Sequence, residues 1–407
     1  MTSRSVQKLK KLLEENKALK SLVEKSIKKA SEINPDRRTN PAQTLNEYYD
    51  FLEASVTKMP WRILDENFYE GKKKVDLALK TDNSILYPYW ILDIPLDELK
   101  GNGKFYNSVE YIDEIGEWLT DYCNEWKEFL DSPKSWNDDI LQIFKNEKSF
   151  QLEKGWYEDS SNWKSFNDFF SRKLKGNSRP IDNIEDDSII VAPADSLPQG
   201  VWSIDKEGKF HAEKITDDNG VTLKSTTYVE IEQLLGEKCK KFGKNFYCGK
   251  LTHSYLHYND YHRYHFPVSG TVLEAEIITP TPRVGGIVYW DTKKKAYTLK
   301  SNSLSWQAFE TRATVIIETS IGLVAVLPIG MGQVSSVNLE SNVKKGLKVK
   351  KGDPLGCFLF GGSDFVMVFE EKADFKMTVP ETGKNLGGYD GGYEHVMMGK
   401  QYGIAKK

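Results

Sequence analysis

The chain has 407 residues, 28% of them charged and 39% hydrophobic, with a formal net charge of −3. That length exceeds one ordinary core and points to two domains. The charge excludes a molecule built as a whole to attract nucleic acid, no apolar run is long enough to span a membrane, and the N-terminus MTSRSVQKLKKLL lacks the continuous apolar segment of a signal peptide.

The first elements in chain order are helical. Leu9, Leu12, Leu13, Leu19, Leu22, Val23 and Ile27 recur mostly at spacings of three or four, with lysines between them. This basic, amphipathic stretch fits either a membrane-surface helix or a helix with its leucines on the domain. Glu14, Glu15 and Glu24 interrupt its positive face, and no Trp or Phe anchors its apolar side, so packing is the expectation. A second amphipathic segment begins near Pro41 and runs through Tyr48, Phe51 and Leu52. A third, Ile112 to Leu130, has a wide apolar face and stops at Asp131-Ser132-Pro133. Further on, Trp163, Phe166, Phe169 and Phe170 fit one face of a hinge helix closed by Arg179-Pro180. Arg172, Lys173 and Lys175 read there as a solvated basic face rather than a phosphate site.

After about residue 185 the texture changes to short β-branched and aromatic runs separated by Gly, Pro, Asn and Asp. Examples are Ser188–Val191, Gly270–Leu273, Ala313–Glu318 and Leu323–Leu327. Gly346, Gly352 and Gly356 fall at turn-like intervals. The expected fold is α+β, with a helical N-terminal domain over 1–160 and a β-rich domain over 161–407. The four cysteines, Cys123, Cys239, Cys248 and Cys357, have no paired spacing and read as reduced thiols of a cytoplasmic protein.

Four of the six histidines, His253, His257, His262 and His265, fall within thirteen positions. They fit a metal site, a set of structural hydrogen bonds, or acid–base groups of an active site. Thiol and carboxylate ligands at the usual spacings are missing, so no metal is assigned. Asp195 in VAPADS supplies a carboxylate able to orient a histidine, and Ser363 in LGCFLFGGSDFVMVF is placed to be a nucleophile. The Gly-x-Ser-x-Gly context of a serine hydrolase is absent. A serine after two glycines suits another chemistry. The Ser363 hydroxyl attacks the carbonyl of Gly362, an ester forms, and elimination followed by hydrolysis leaves a pyruvoyl group on the new N-terminus.

Together APADS, DYHRYHFPVSG and GDPLGCFLFGGSDFVMVF resemble the phosphatidylserine decarboxylase family of pyruvoyl-dependent lyases. FNDFFSRKLKGNSRPI, TRATVIIET and IGMGQVSSV fit at the right intervals. In the helical half, NEYYDFLEASVTKMPW, ILDIPLDEL and WKEFLDSPKSW resemble the extension of soluble members, including fungal-type L-tryptophan decarboxylases. The resemblance implies self-cleavage between Gly362 and Ser363, a covalent pyruvoyl cofactor made from Ser363, and carbon dioxide release through a Schiff base. It implies that His265 is the base of cleavage, Asp195 its carboxylate partner, and His262 the group used in decarboxylation. Amides near Gly330-Met331-Gly332 are candidates for stabilising an oxyanion. Asp364 departs from the Ser or Thr common in the family. The implied substrate is phosphatidylserine or a free amino acid, met by a soluble or peripherally membrane-associated protein. A homodimer is compatible with the resemblance. A non-catalytic binding module on the same fold and a metal-dependent hydrolase are the competing classes.

Overall fold

The computed structural model describes residues 2–72, 75–100, 107–211, 215–216, 222–224, 228–280, 287–300, 306–332, 336–383 and 392–406. The chain groups into two compact units, one of residues 1–137, 214–225 and 281–301 and the other of 138–213, 226–280 and 302–407. These limits differ from a single division at residue 160. Residues 138–160 group with the β-rich unit, and a segment from beyond residue 280 groups with the helical one.

The helical unit is built from α1 (Arg4–Glu15), α2 (Lys17–Ile33), α3 (Leu45–Ser55), α4 (Leu77–Leu92) and α5 (Asp113–Leu130). The first apolar run thus makes two helices rather than one. Asn16 ends α1 in a non-helical conformation, and its side chain accepts from the Leu19 amide to cap α2. Val6, Leu9 and Leu13 are buried. Glu125 on α5 accepts from the Arg4 and Ser5 amides at 3.0 and 2.8 Å, and the Trp118 indole donates to the Ser5 carbonyl at 2.9 Å. The start of the chain is therefore packed against α5, as its interrupted positive face implies. α4 escaped periodicity because its residues Leu86–Leu92 are all buried, leaving no polar face to mark a period. Against it lies the hairpin Ile287–Asp291/Ala296–Lys300. The Tyr297 amide donates to Asn83 at 2.8 Å and the Val288 amide to Asp93 at 2.9 Å. The Tyr297 ring lies 5.0 Å from Trp90 and 5.3 Å from Tyr87.

The β-rich unit centres on a seven-stranded antiparallel sheet. In chain order its strands are β1 (Leu197–Ser203), β2 (Lys250–Leu256), β3 (Gly270–Ile278), β4 (Thr311–Thr319), β5 (Gly322–Met331), β6 (Lys348–Val349) and β7 (Gly362–Phe369). Their spatial order is β6-β3-β4-β5-β7-β2-β1. The central strands β4, β5 and β7 are buried almost throughout, which is why they read as near-continuous apolar runs. A three-stranded sheet of Val337–Leu339, Pro354–Phe358 and Arg263–His265 carries the histidine motif. The α+β expectation holds. The aromatic hinge helix is shorter than its pattern suggests: after α6 (Asp138–Asn146) and three single 3-10 turns, α-helix covers only α7 (Phe166–Phe170). Ser165 caps α7 at its start, and the chain leaves the helix at Ser171.

Candidate active site

β7 begins one residue before Ser363, so the Gly-Gly-Ser stretch lies at the mouth of a central strand. Gly362 and Ser363 face Met331 and Gly330 of β5, while on the other side pairing with β2 starts at Ser363, opposite Leu256. The Gly362–Ser363 bond thus marks the place where β7 loses one of its two neighbours. A side chain at 362 has no room, since a Cβ there would lie 2.4 Å from Met331 Cγ. Ser363 is 1% exposed, and its hydroxyl donates to the Gly361 carbonyl over a long 3.4 Å. The backbone of Gly330 and Met331, the candidate oxyanion segment, runs alongside the Gly362–Ser363 pair.

His265 ends the strand Arg263–His265. Its Nδ1 donates to the Gly352 carbonyl at 2.8 Å, so Nε2 is the acceptor, bound to the Tyr261 hydroxyl at 3.0 Å. Burial pushes its pKa down to about 4, which keeps the ring neutral near pH 7. Asp195 sits in the turn after the strand Ile189–Val191 and is buried. Its Oδ1 accepts from the Arg179 guanidinium and from the Met398 amide at 2.8 Å. The structure does not join Asp195 and His265 by a hydrogen bond. A charge-assisted bond to Arg179 takes the carboxylate instead. Arg179 also donates to Tyr157 at 3.1 Å and lies 5.3 Å from the Tyr261 ring centre, linking the two groups indirectly.

His262 is fully buried and stacked on Phe170, with ring centres 3.9 Å apart. Nε2 donates to the His257 carbonyl at 3.0 Å, and Nδ1 has no partner. Burial drives its pKa down to about 3, against a weaker upward pull from Asp260. Nδ1 is therefore a bare lone pair in a closed site, an acceptor rather than a loaded acid at neutral pH. Arg172 holds the loop before it, donating to the Asp260 carbonyl at 2.9 Å and the Asn259 carbonyl at 3.2 Å. Its guanidinium lies 4.6 Å from the Tyr157 ring centre and the residue is fully buried. Arg172 is a buried brace, not part of a solvated basic face.

Two carboxylate–imidazole pairs, neither of them Asp195–His265, stand in this unit. His253 Nε2 and Asp364 Oδ1 are 2.8 Å apart, both residues buried. His395 Nε2 lies 2.9 Å from Asp260 Oδ1, while Asp260 Oδ2 accepts from the His257 amide at 2.8 Å. Sequence reading named His253 and Asp364 separately but paired neither set, and it missed His395 and Asp260 as site groups together with Arg179 and Tyr261. His395 stands alone in YEHVMMG, 135 positions from its partner, and no spacing rule reaches that far. Among the described residues no group of three or more His, Cys, Asp and Glu is arranged to hold a metal ion. Cys123, Cys239, Cys248 and Cys357 are free thiols.

With this geometry in view, comparison with known proteins is specific. A family model described as phosphatidylserine decarboxylase matches residues 166–403. The decarboxylase iboD of Amanita muscaria is 32% identical over 288 residues, 66% of this chain and 77% of that protein. Phosphatidylserine decarboxylase proenzyme 2 of rice is 34% identical over 250 residues, 60% of this chain but only 35% of the relative. The phosphatidylserine decarboxylase proenzyme of Fusobacterium nucleatum is 30% identical over 207 residues, 51% of this chain and 60% of its own length. Fold, motifs and relatives define the class as the carboxy-lyases. Within it, the chain belongs to the phosphatidylserine decarboxylase family.

Proposed function

We propose that this chain is a self-processing, pyruvoyl-dependent decarboxylase whose reacting bond is Gly362–Ser363. The observation that carries the reading is the position of that bond. It lies at the mouth of a buried central strand, unpaired on one side, with a residue at 362 that adds no side chain of its own where Met331 packs closely. Ser363 Oγ attacks the Gly362 carbonyl carbon, the C–N bond breaks, and the hydroxyl proton ends on the freed nitrogen. Loss of the Ser363 Cα proton then expels the Gly362 carboxylate and leaves a dehydroalanine. Water adds, ammonia departs, and residue 363 becomes a pyruvoyl group. The balance is one water consumed and one ammonia released.

His265 is the base in this reading. Its Nε2 already accepts from Tyr261, so that hydroxyl must swing away or pass the proton on. Asp195 acts through Arg179 and the tyrosines beside it rather than by direct contact. The pyruvoyl ketone supplies the electron sink for a substrate amine that loses its carboxylate. The residues present fit such a group, since Gly362-Ser363 is its precursor and Gly330-Met331 lines the place where it forms. His262 offers its unpartnered Nδ1 to a proton-bearing group of the substrate and hands that proton on during turnover.

Phosphatidylserine, converted to phosphatidylethanolamine, is the first substrate reading, supported by the family. A free L-amino acid such as tryptophan is the second, favoured by the likeness to iboD, a relative whose name carries no lipid. No helix among the described residues is long and apolar enough to cross a membrane. Intact-mass analysis of the purified protein tests the processing step. Two chains, the smaller being residues 363–407 with a blocked N-terminus, are expected, and a lasting single chain refutes it. Carbon dioxide release from phosphatidylserine vesicles against free amino acids separates the two substrates.

A further inference from the structure

The residue after Ser363 has no part in the chemistry above, yet it is the most costly residue on β7. Asp364 is buried in a strand whose next five residues, Phe365 to Phe369, are all buried too. One carboxylate oxygen meets His253 and the other, Oδ2, has no partner. A half-satisfied buried carboxylate is destabilising compared with an apolar residue of similar volume, so folding alone does not explain it. By strand alternation its side chain leaves the sheet on the face opposite that of Ser363.

The position of the tie suggests its use. His253 is on β2 and Asp364 on β7, and these strands part company immediately beyond Ser363. The hydrogen bond runs diagonally between the strands, from Asp364, next to Ser363, to His253, which lies opposite Val366 two residues further into the ladder. Once the Gly362–Ser363 bond opens, residue 363 becomes a chain end, attached to the sheet through the backbone of residue 364. We infer that Asp364 and His253 form a clamp that positions residue 363, first under the Gly362 carbonyl and then as the fixed terminus of the smaller chain. This rests on Gly362–Ser363 being the reacting bond. Both residues are positioning residues, because neither is placed to touch a substrate.

The test separates positioning from mere stability. Asp364→Leu alone strips the buried His253 Nε2 of this hydrogen bond and should lower the melting temperature, whereas Asp364→Leu combined with His253→Leu replaces both groups and should melt at about the wild-type temperature. Conversion to two chains, followed by intact mass, should nevertheless slow in both by about tenfold or more, the scale of losing a well-set reacting geometry. His253→Leu should slow conversion similarly, and the double variant should be no slower than the slower single one, since both changes break one contact. Asp364→Asn keeps an acceptor for His253 and should convert at close to the wild-type rate. On protein that has already split, Asp364→Leu should lower kcat with KM little changed. Wild-type conversion in Asp364→Leu, slowing that tracks lost melting temperature, or additive slowing in the double variant overturns the clamp. A wild-type chain that never splits overturns the reading of the bond itself and the clamp with it, whereas normal splitting in every variant removes the clamp alone.

Discussion

Asp364–His253 at the start of β7 and Asp260–His395 near the C-terminus are the same two groups at nearly the same separation, 2.8 and 2.9 Å, in opposite electrostatic situations. In the first, both side chains are sealed from water, and burial pushes the Asp364 carboxyl above its usual range. In the second, the His395 side chain is 36% exposed. Burial there works against both charges, but the hydrogen bond and the mutual attraction prevail, lowering the pKa of Asp260 and raising that of His395. Asp195, on the same side, pulls His395 further up, while Arg179 opposes it. Burial decides which way the carboxyl moves, up where both side chains are sealed and down where the partner histidine reaches water. The sealed pair adjoins the Gly362–Ser363 bond proposed to react, and the open one belongs to the loop that carries His257 and His262.

The largest effect should come from the bond that the sealed pair adjoins. Ser363→Ala should leave one uncut chain by mass spectrometry and abolish carbon dioxide release, while the His395 titration followed by NMR stays unchanged. A shifted His395 titration would mean that the two regions are not separate. Next come the groups around the bond. His265→Ala and Asp195→Asn should remain folded but uncut, because an unaided serine hydroxyl is a poor nucleophile at neutral pH. His262→Ala should still split, with turnover reduced by about a hundredfold or more. Processing of the first two at the wild-type rate would remove them from the cleavage step.

The comparison is sharpened by pH. His262 and His265 have folded-state pKa values depressed to about 3 and 4, so below the unfolded value of about 6.5 the unfolded chain binds protons that the folded one refuses. Stability should then fall with pH from about 6 to 4, by at most about 1.4 kcal/mol per pH unit for each ring. His395 has the opposite sign. Its pKa is raised on folding, so its contribution is complete below about 6.5 and disappears as pH climbs through the folded value. His395→Gln should cost no more than about 1 kcal/mol at pH 6, less at pH 8, with splitting unimpaired. Chemical denaturation at three pH values reads both slopes, and a His395→Gln penalty that grows with pH would refute the assignment. The smallest effect marks the fully wet limit. Lys8 and Asp121 in the helical unit are 2.8 Å apart but largely exposed, and Lys8→Ala should change the unfolding free energy by less than about 0.5 kcal/mol.

Much of this was visible in the residues. The change from spacings of three and four to short β-branched runs reports the α+β fold, because each pattern is the shadow of one buried face. Gly362-Ser363 stands out as the candidate for the proposed cleavage because a glycine adds no side chain beside its own carbonyl. The limits of legibility are also physical. Leu13 and Leu19 read as one helix because apolar spacing does not register a cap at Asn16. Nothing in the sequence shows that Arg179 takes the Asp195 carboxylate in place of His265. His395 and Asp260 meet only through the return of the chain, which brings Val396 alongside Ser196 at the start of β1.

The hairpin Ile287–Asp291/Ala296–Lys300 has a consequence for the order in which the protein is made. Its buried Val288, Tyr297 and Leu299 complete the helical unit, yet they are translated more than a hundred residues after α5. During synthesis the five helices lack the Tyr297 ring that packs on Trp90 and Tyr87 until the hairpin has left the ribosome. Ser363 emerges later still, so the last piece of the helical unit is available before the Gly362–Ser363 bond is made. A chain begun after residue 137 would retain the hairpin with nothing to cover it, and a chain ended at 160 would lack it. Neither half is a clean module, and both truncations should be more prone to aggregation than the whole.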